Sequence, residues 1–132
     1  MTALDKLFAA ARLVRENAHA PYSNFHVGAA ILTDRGTIFA GCNVEVASYP
    51  EGWCAETTAL GKMVAAGETT VHTVLVMGEG GRLTTPCGGC RQRLAEFAGP
   101  DVTVHVADPT GIRASFSLGE LLPASFVLAD PA

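Results

Sequence analysis

The sequence has no cluster of basic residues and no long apolar run, and both absences narrow what the protein can do. Its 132 residues include 9 lysines and arginines against 13 aspartates and glutamates, which gives a net charge of −4. Because such a chain has little positive charge to attract a phosphate backbone, we expect no nucleic-acid partner. No stretch approaches the roughly 20 apolar residues of a membrane span, so we also expect no membrane partner.

The first residues lack the uninterrupted apolar segment of a secretory signal peptide. Asp5 and Lys6 stand where that segment would lie, so we expect a cytoplasmic protein. Hydrophobic residues make up 48% of the chain and charged residues 17%, a balance typical of globular proteins rather than disordered ones. Since repeats and low-complexity tracts are absent too, the length predicts one domain over residues 1–132.

Cysteines are few, and their spacing is informative. The four are Cys42, Cys54, Cys87 and Cys90. Two disulfides are one interpretation, but in a cytosolic chain a C-x-x-C pair more often binds a metal or takes part in catalysis. Taken alone, the Cys87–Cys90 pair is as consistent with a structural clamp as with a redox pair. Cys42 lies on a predicted strand, and we expect it to be a buried free thiol.

Hydrophobic periodicity and turn residues predict the element order α-β-β-α-β-α-β-β-α. Strands that alternate with helices indicate an α/β layered domain with a mixed sheet. The first two strands should form an antiparallel hairpin. The strands that flank the second helix should pair in parallel, and so should those that flank the third. The predicted ranges are 3–18, 54–66, 87–97 and 118–122 for helices, and 25–33, 37–43, 71–77, 102–107 and 112–117 for strands.

The second and third predicted helices begin with residues suited to a metal site. Cys54-Ala55-Glu56 opens one, and Pro86-Cys87-Gly88-Gly89-Cys90 opens the other. If the two helix N-termini converge, three thiols meet, and three protein ligands are typical of a catalytic zinc site. The helix dipoles favour thiolate over thiol. Glu56 would then lie beside the metal, where a carboxylate can accept a proton from water and deliver it elsewhere.

This pattern resembles the zinc nucleobase deaminases, and within them the small homotetrameric cytidine deaminases. The resemblance implies a three-layer α/β/α sandwich around a five-stranded mixed sheet. It also implies hydrolytic deamination of cytidine and deoxycytidine, with release of ammonia, in pyrimidine salvage. One Zn²⁺ per subunit and a homotetramer with shared active sites are implied as well. The resembling segments are residues 20–30, 41–45, 47–49, 86–92 and 121–126.

The resemblance assigns a zinc centre and its acid-base group. Cys54, Cys87 and Cys90 bind the metal, and Glu56 moves protons between water, the ring nitrogen and the leaving amine. Without the resemblance, a lone cysteine such as Cys54 is more often a core thiol than a metal ligand.

The resemblance also assigns substrate contacts. Asn43 and Glu45 hydrogen-bond the ribose 3′-hydroxyl, and Phe25 stacks on the pyrimidine. Taken alone, Asn43 is more often a turn or strand-end residue, and Phe25 and Phe126 are as consistent with core filling. Ala55 is a further implied substrate contact. Ala47 and Tyr49 are implied contacts on a segment that also reaches a neighbour's site, and Phe126 closes a neighbour's site.

Two positions near these motifs differ from the residues common in the family. Thr57 stands where many three-cysteine members have an arginine, and Val46 where asparagine is common. Zinc with three thiolates carries a net charge of −1, which is unfavourable for lowering the pKa of bound water. We hypothesise that Arg91 offsets this charge by hydrogen-bonding a ligand sulfur. Trp53 is expected to pack near the site or at a subunit contact.

Two other functions remain open. One is a related zinc deaminase of another small aminopyrimidine or an antibiotic nucleoside, and the other is a zinc-stabilised binding protein without turnover. Asn43 and Glu45 favour a nucleoside, because both side chains suit a sugar hydroxyl. Glu56 argues against the binding protein, because a structural zinc site has no use for an acid. A polynucleotide editor is disfavoured by the acidic charge.

Overall fold

A computed structural model describes residues 1–128 and places helices on both faces of a five-stranded mixed sheet. The predicted order of helices and strands and the predicted layered α/β fold are confirmed. A short 3-10 turn at Tyr49–Glu51 is added in a segment predicted as loop. The elements are α1 (Ala3–Arg15), β1 (Gly28–Thr33), β2 (Ile38–Cys42), α2 (Ala55–Ala65), β3 (Val71–Met77), α3 (Gly88–Phe97), β4 (Thr103–Asp108), β5 (Gly111–Ser117) and α4 (Leu118–Leu121).

The strand order is β2-β1-β3-β4-β5. The predicted β1–β2 hairpin and the parallel pairing of β3 with β4 across α3 are confirmed. The predicted parallel pairing across α2 is wrong, because β1 lies between β2 and β3 and pairs antiparallel with β3. A hairpin can present either of its two strands to the rest of the sheet, so the order along the chain does not decide which strand pairs with β3. In the structure β1 lies inside and is nearly all buried, whereas the edge strand β2 is mostly half-buried.

Two apolar layers flank the sheet, and β3 contributes alternate residues to each. Leu75 and Met77 face α1, whereas Val74 and Val76 belong to the layer under α2 and α3. Helix α1 is shorter than predicted and is capped by Thr2, which forms a capping box with Asp5. Within residues 1–128, every helix falls short of the length and apolar character needed to cross a membrane.

Gly41 on β2 allows α2 to lie unusually close to the sheet. A Cβ at this position would be 2.5 Å from the backbone nitrogen of Ala59 and 2.8 Å from the carbonyl oxygen of Ala55. Both are backbone atoms of the helix, so a side chain fits only if the helix moves. Gly41 therefore helps to fix where α2 begins, directly after Cys54.

Candidate active site

Three cysteine sulfurs lie together where α2 and α3 begin. Cys54 and Cys87 are the N-cap residues of the two helices, and Cys90 lies in the first turn of α3. The Sγ atoms of Cys54 and Cys87 are 3.6 Å apart, and all three sulfurs lie within 4.8 Å of one another. A tetrahedral zinc ion with Zn–S bonds of about 2.3 Å needs sulfurs about 3.8 Å apart. The cluster therefore fits one zinc ion.

All four cysteines are free thiols, so the disulfide interpretation is not supported. Cys42 is free as expected, although it is half-buried rather than fully buried. The pKa of Cys90 is raised above its usual value by a hydrogen bond with Cys54, and further by burial and by the charge of Glu56. Because a coordinated thiol is deprotonated outright, a divalent cation would reverse this preference for the neutral form.

Glu56 is a buried carboxyl group in the first turn of α2. Its side chain is only 3% exposed, and it lines the cavity that borders the cysteines. Burial raises the pKa of Glu56, and its own backbone N–H and the positive charge of Arg93 oppose that effect. A carboxyl group in this environment is suited to exchange protons with a bound reactant.

A cavity of about 610 Å³ opens beside the cysteines, within the size range of small-molecule sites. It brings together most of the residues that the sequence indicated. Ala47 and Phe126 are not part of its lining. Phe126 is 69% exposed, and its backbone is held by two hydrogen bonds with the side chain of Gln92. The indicated residues in the lining are Phe25, Asn43, Glu45, Tyr49, Cys54, Ala55, Glu56 and Cys87.

The Asn43 side chain is fixed by two backbone contacts on the far wall of this cavity. Its Oδ1 accepts the N–H of Val27 at 2.9 Å, and its Nδ2 donates to the carbonyl of Phe25 at 2.8 Å. One N–H and one lone pair of the amide remain for a ligand. The same contacts hold the backbone of Phe25, so the predicted stacking residue and the predicted ribose contact form one unit.

Glu45 is held by the segment that precedes Phe25. Its carboxylate accepts the N–H groups of Tyr22 and Ser23 at 3.0 and 3.1 Å, and also the Ser23 hydroxyl. The Ser23 hydroxyl is the main cause that lowers the pKa of Glu45. Ser23 was not among the expected site residues, although it stands two positions before Phe25 in a motif that the resemblance covers.

Trp53 joins the Asn43–Glu45 loop to the start of α2. Its backbone N–H and carbonyl exchange hydrogen bonds with Val44, both at 3.0 Å, and its indole N–H donates to Thr58 at 2.8 Å. The ring lines the cavity and is 45% exposed, which agrees with the expectation that it packs near the site.

The hypothesis that Arg91 hydrogen-bonds a ligand sulfur is wrong. Its guanidinium donates to the carbonyls of Pro86 and Leu121, at 2.7 and 2.8 Å, and to the hydroxyl of Thr85. Those contacts tie the loop before α3 to α4. The guanidinium that reaches a sulfur belongs to Arg93, whose Nη1 is 3.9 Å from Sγ of Cys90.

Residues 1–106 match the family described as the cytidine and deoxycytidylate deaminase zinc-binding region. The chain belongs to this deaminase family. Because the matched region contains all three clustered cysteines, they form the zinc-binding cluster of this deaminase domain.

Relatives within the family are similar over almost the whole chain. A cytidine deaminase of Sporosarcina psychrophila is 38% identical over 127 residues, which is 96% of this chain and 93% of that protein. A probable cytidine deaminase of Dictyostelium discoideum is 41% identical over 128 residues, or 96% of this chain and 86% of that protein. The crystal structure of cytidine deaminase from Burkholderia pseudomallei has a TM-score of 0.87 and 44% identity, and covers 96% of this chain and 100% of that one.

Proposed function

We propose that the protein hydrolyses cytidine and deoxycytidine to uridine and deoxyuridine, with one ammonia released for each water consumed. The observation that carries this proposal is the placement of a buried carboxyl group, Glu56, beside three converging cysteine sulfurs in a cavity of nucleoside size. The family membership and the relatives named cytidine deaminase support the same reaction.

Cys54, Cys87 and Cys90 would hold the zinc ion. Zinc bound there would lower the pKa of water, and so would make water nucleophilic enough to add to carbon 4 of the cytosine ring. Two features of the chain prepare the ligands. The N-termini of α2 and α3 favour thiolate, and the spacing of Cys87 and Cys90 places both sulfurs on one side of α3.

Glu56 carries the protons. It accepts one proton from the attacking water and delivers it to the ring nitrogen. It then accepts the second proton, from the hydroxyl group now on carbon 4, and delivers it to the amine as the carbon–nitrogen bond breaks, so that ammonia departs and a carbonyl group remains. This role requires a position next to both the water and the base. Glu56 fits because it lies two residues after Cys54 in the first turn of α2 and lines the cavity. Its burial excludes bulk water, which would otherwise compete for these protons.

Asn43 and Glu45 bind the sugar. The remaining N–H of Asn43 can donate to a ribose hydroxyl, and the carboxylate of Glu45 can accept from it. A free base would offer no partner to the remaining N–H of Asn43 or to the remaining lone pairs of Glu45, so the site should prefer a nucleoside. Phe25 supplies an aromatic face for the pyrimidine, and Ala55 completes the wall near the metal.

The protein works as a homotetramer whose neighbouring copies complete each site. Large aromatic side chains surround the cavity mouth but are exposed in a single copy: Tyr49 is 72% exposed and Trp53 45%. The Phe126 side chain is about as exposed as that of Tyr49, and it lies outside the cavity of its own chain. A neighbouring copy would bury these surfaces, with its Phe126 over the cavity and its segment of Ala47 and Tyr49 alongside.

The protein acts in the cytoplasm, where it takes part in pyrimidine salvage. Three zinc-binding thiolates need a reducing compartment to stay unoxidised. The reaction consumes free nucleosides, which fits a salvage enzyme rather than an editor of polynucleotides.

A nucleoside panel with the purified, zinc-loaded protein tests this function. We expect turnover of cytidine and deoxycytidine, much slower turnover of free cytosine, and a size of about four subunits by light scattering. Turnover of an antibiotic nucleoside or another aminopyrimidine alone would indicate the related deaminase. Zinc binding without turnover of any compound would indicate the binding protein. An active monomer would contradict the shared site.

A further inference from the structure

The zinc cluster carries an excess of negative charge that the protein must offset. Three thiolates and one Zn²⁺ leave a net charge of −1, and Glu56 lies close by. A negative cluster holds its ligands and its water less well than a neutral one, because like charges disfavour each other's ionised forms. A cation near the sulfurs would reduce this cost.

Arg93 is the cation whose side chain reaches the cluster. Side chains on an α-helix lean toward its N-terminus, so a residue at position 93 of α3 covers positions 89 and 90. The structure shows this arrangement, with Nη1 of Arg93 3.9 Å from Sγ of Cys90. Gly89 leaves the space, since a Cβ there would come within 3.0 Å of the same Nη1.

Two neighbours of the cluster do not supply this charge. Arg91 uses its guanidinium on the carbonyls of Pro86 and Leu121 and on the hydroxyl of Thr85. Thr57 is uncharged, although its Oγ1 lies 3.7 Å from the same Sγ of Cys90. The Cys90 sulfur thus has a hydroxyl from α2 on one side and a guanidinium from α3 on the other.

We infer that Arg93 is a positioning residue of the zinc centre, which stabilises the Cys90 thiolate and thereby retains the metal. The inference rests on the proposed zinc-dependent function. The compensating charge then lies on α3, three residues after Cys90, rather than on α2 next to Glu56.

The test compares zinc affinity, measured by competition with a chromophoric chelator, among wild type, Arg93→Gln and Arg93→Lys. Arg93→Gln should bind zinc about tenfold more weakly, the lower end of the usual effect of a lost outer-shell contact. Arg93→Lys should lie between the two. The difference between wild type and Arg93→Gln should shrink in high salt, because Arg93 is exposed and its charge can be screened.

A rescue variant separates the charge from the side chain's packing. Thr57→Arg in the Arg93→Gln background places a guanidinium beside the same sulfur from α2, and should restore zinc affinity. Arg12→Gln, on the opposite face of the sheet, serves as the control and should bind zinc like wild type. The metal-free forms of wild type and Arg93→Gln should unfold at the same temperature.

Three results would overturn the inference. They are unchanged zinc affinity in Arg93→Gln at low salt, a weakened affinity that salt leaves unaltered, and a loss that Thr57→Arg fails to restore. A wild-type protein that binds no zinc would instead reject the proposed function, so the two failures are distinguishable.

Discussion

Ser23 donates two hydrogen bonds to the carboxylate of Glu45, one from its backbone N–H at 3.1 Å and one from its hydroxyl. The same hydroxyl accepts the N–H of Phe25 at 3.0 Å. Asn24, between them, adopts a left-handed conformation with φ of 57°, which asparagine tolerates better than most residues. The proposed sugar contact and the proposed base-stacking ring are thus joined through one serine side chain.

Ser23→Ala should therefore impair nucleoside binding more than the chemical step. Loss of a hydrogen bond to a charged group at an exposed position should raise KM for cytidine by about threefold to tenfold, with a smaller change in kcat. Steady-state kinetics measure both constants. Ser115→Ala is the control, because the Ser115 hydroxyl bonds His105 instead and Ser115 is not part of the cavity lining. Equal KM values in wild type and Ser23→Ala would contradict the assigned link.

Gly41→Ala should displace α2 and loosen the zinc centre. The added methyl group would meet the backbone of Ala55 and Ala59 at less than 3 Å, and overpacking of this kind costs about 1–3 kcal/mol. Thermal unfolding and chelator-induced zinc release measure the two effects. Gly61→Ala, on the open side of the same helix with no atom within 4 Å of the new methyl, should be neutral or slightly stabilising. If both variants behave alike, the close approach at Gly41 has no role in the site.

Subunit complementation tests the shared active site. Glu56→Gln copies should be inactive because they lack the acid-base group, and Phe126→Ala copies should be impaired because their sites stay open. In a mixed tetramer, an intact Glu56 can lie under the Phe126 of a neighbouring Glu56→Gln copy. Co-expressed variants should therefore regain activity above the sum of the two parents. No gain would show that Phe126 serves its own chain or none.

Asp108 should give the fold an acid-sensitive contribution to stability. This carboxylate is 3% exposed and accepts two hydrogen bonds from Arg113, at 2.7 and 3.2 Å. The Arg113 guanidinium, with help from Thr110, holds the pKa of Asp108 well below its usual range. A lowered carboxyl pKa stabilises the folded state above the unfolded value of about 3.9, and that stabilisation is lost as pH falls further.

The free energies of unfolding of wild type and Asp108→Asn should therefore differ by a constant amount above about pH 5 and converge as the pH falls below about 4. Urea denaturation across this range measures the difference. A difference that does not depend on pH would contradict the assignment.

Local sequence patterns are sufficient to predict the helices and strands. The pairing of the strands depends on three-dimensional packing. The apolar run Val71–Met77 has turn residues on both sides, so β3 was predicted with its observed bounds. The pairing of β3 is predicted wrongly because adjacency along the chain favours β2, whereas the hairpin turns its first strand, β1, toward β3. Helix α1 was predicted too long because the turn after Arg15 has no proline or glycine until Pro21.

The metal cluster is predicted by the family resemblance together with local helix geometry. The i, i+3 spacing places Cys87 and Cys90 on one side of α3, whereas the approach of Cys54 depends on the packing of α2 beside α3. The contact between an arginine and a ligand sulfur is predicted wrongly, because proximity in sequence points to Arg91, whose guanidinium contacts Pro86 and Leu121 instead. The direction of helical side chains gives the better signal, because a residue three positions after Cys90 covers it, and that residue is Arg93. Ser23 was missed because its contacts with Glu45 join distant parts of the chain.

The most direct test of the account is the rate of cytidine deamination by Glu56→Gln, followed by ultraviolet absorbance, with zinc content measured on the same sample. The account predicts one zinc per subunit in both proteins, and a rate that falls by roughly 10²- to 10⁴-fold in the variant. Glu68→Gln alters another buried carboxyl group, which follows the C-terminal end of α2 and bonds Thr33, whereas Cys54 lies at the N-terminal end of that helix. This variant should keep the wild-type rate. A zinc-loaded Glu56→Gln protein that deaminates cytidine at the wild-type rate would contradict the mechanism.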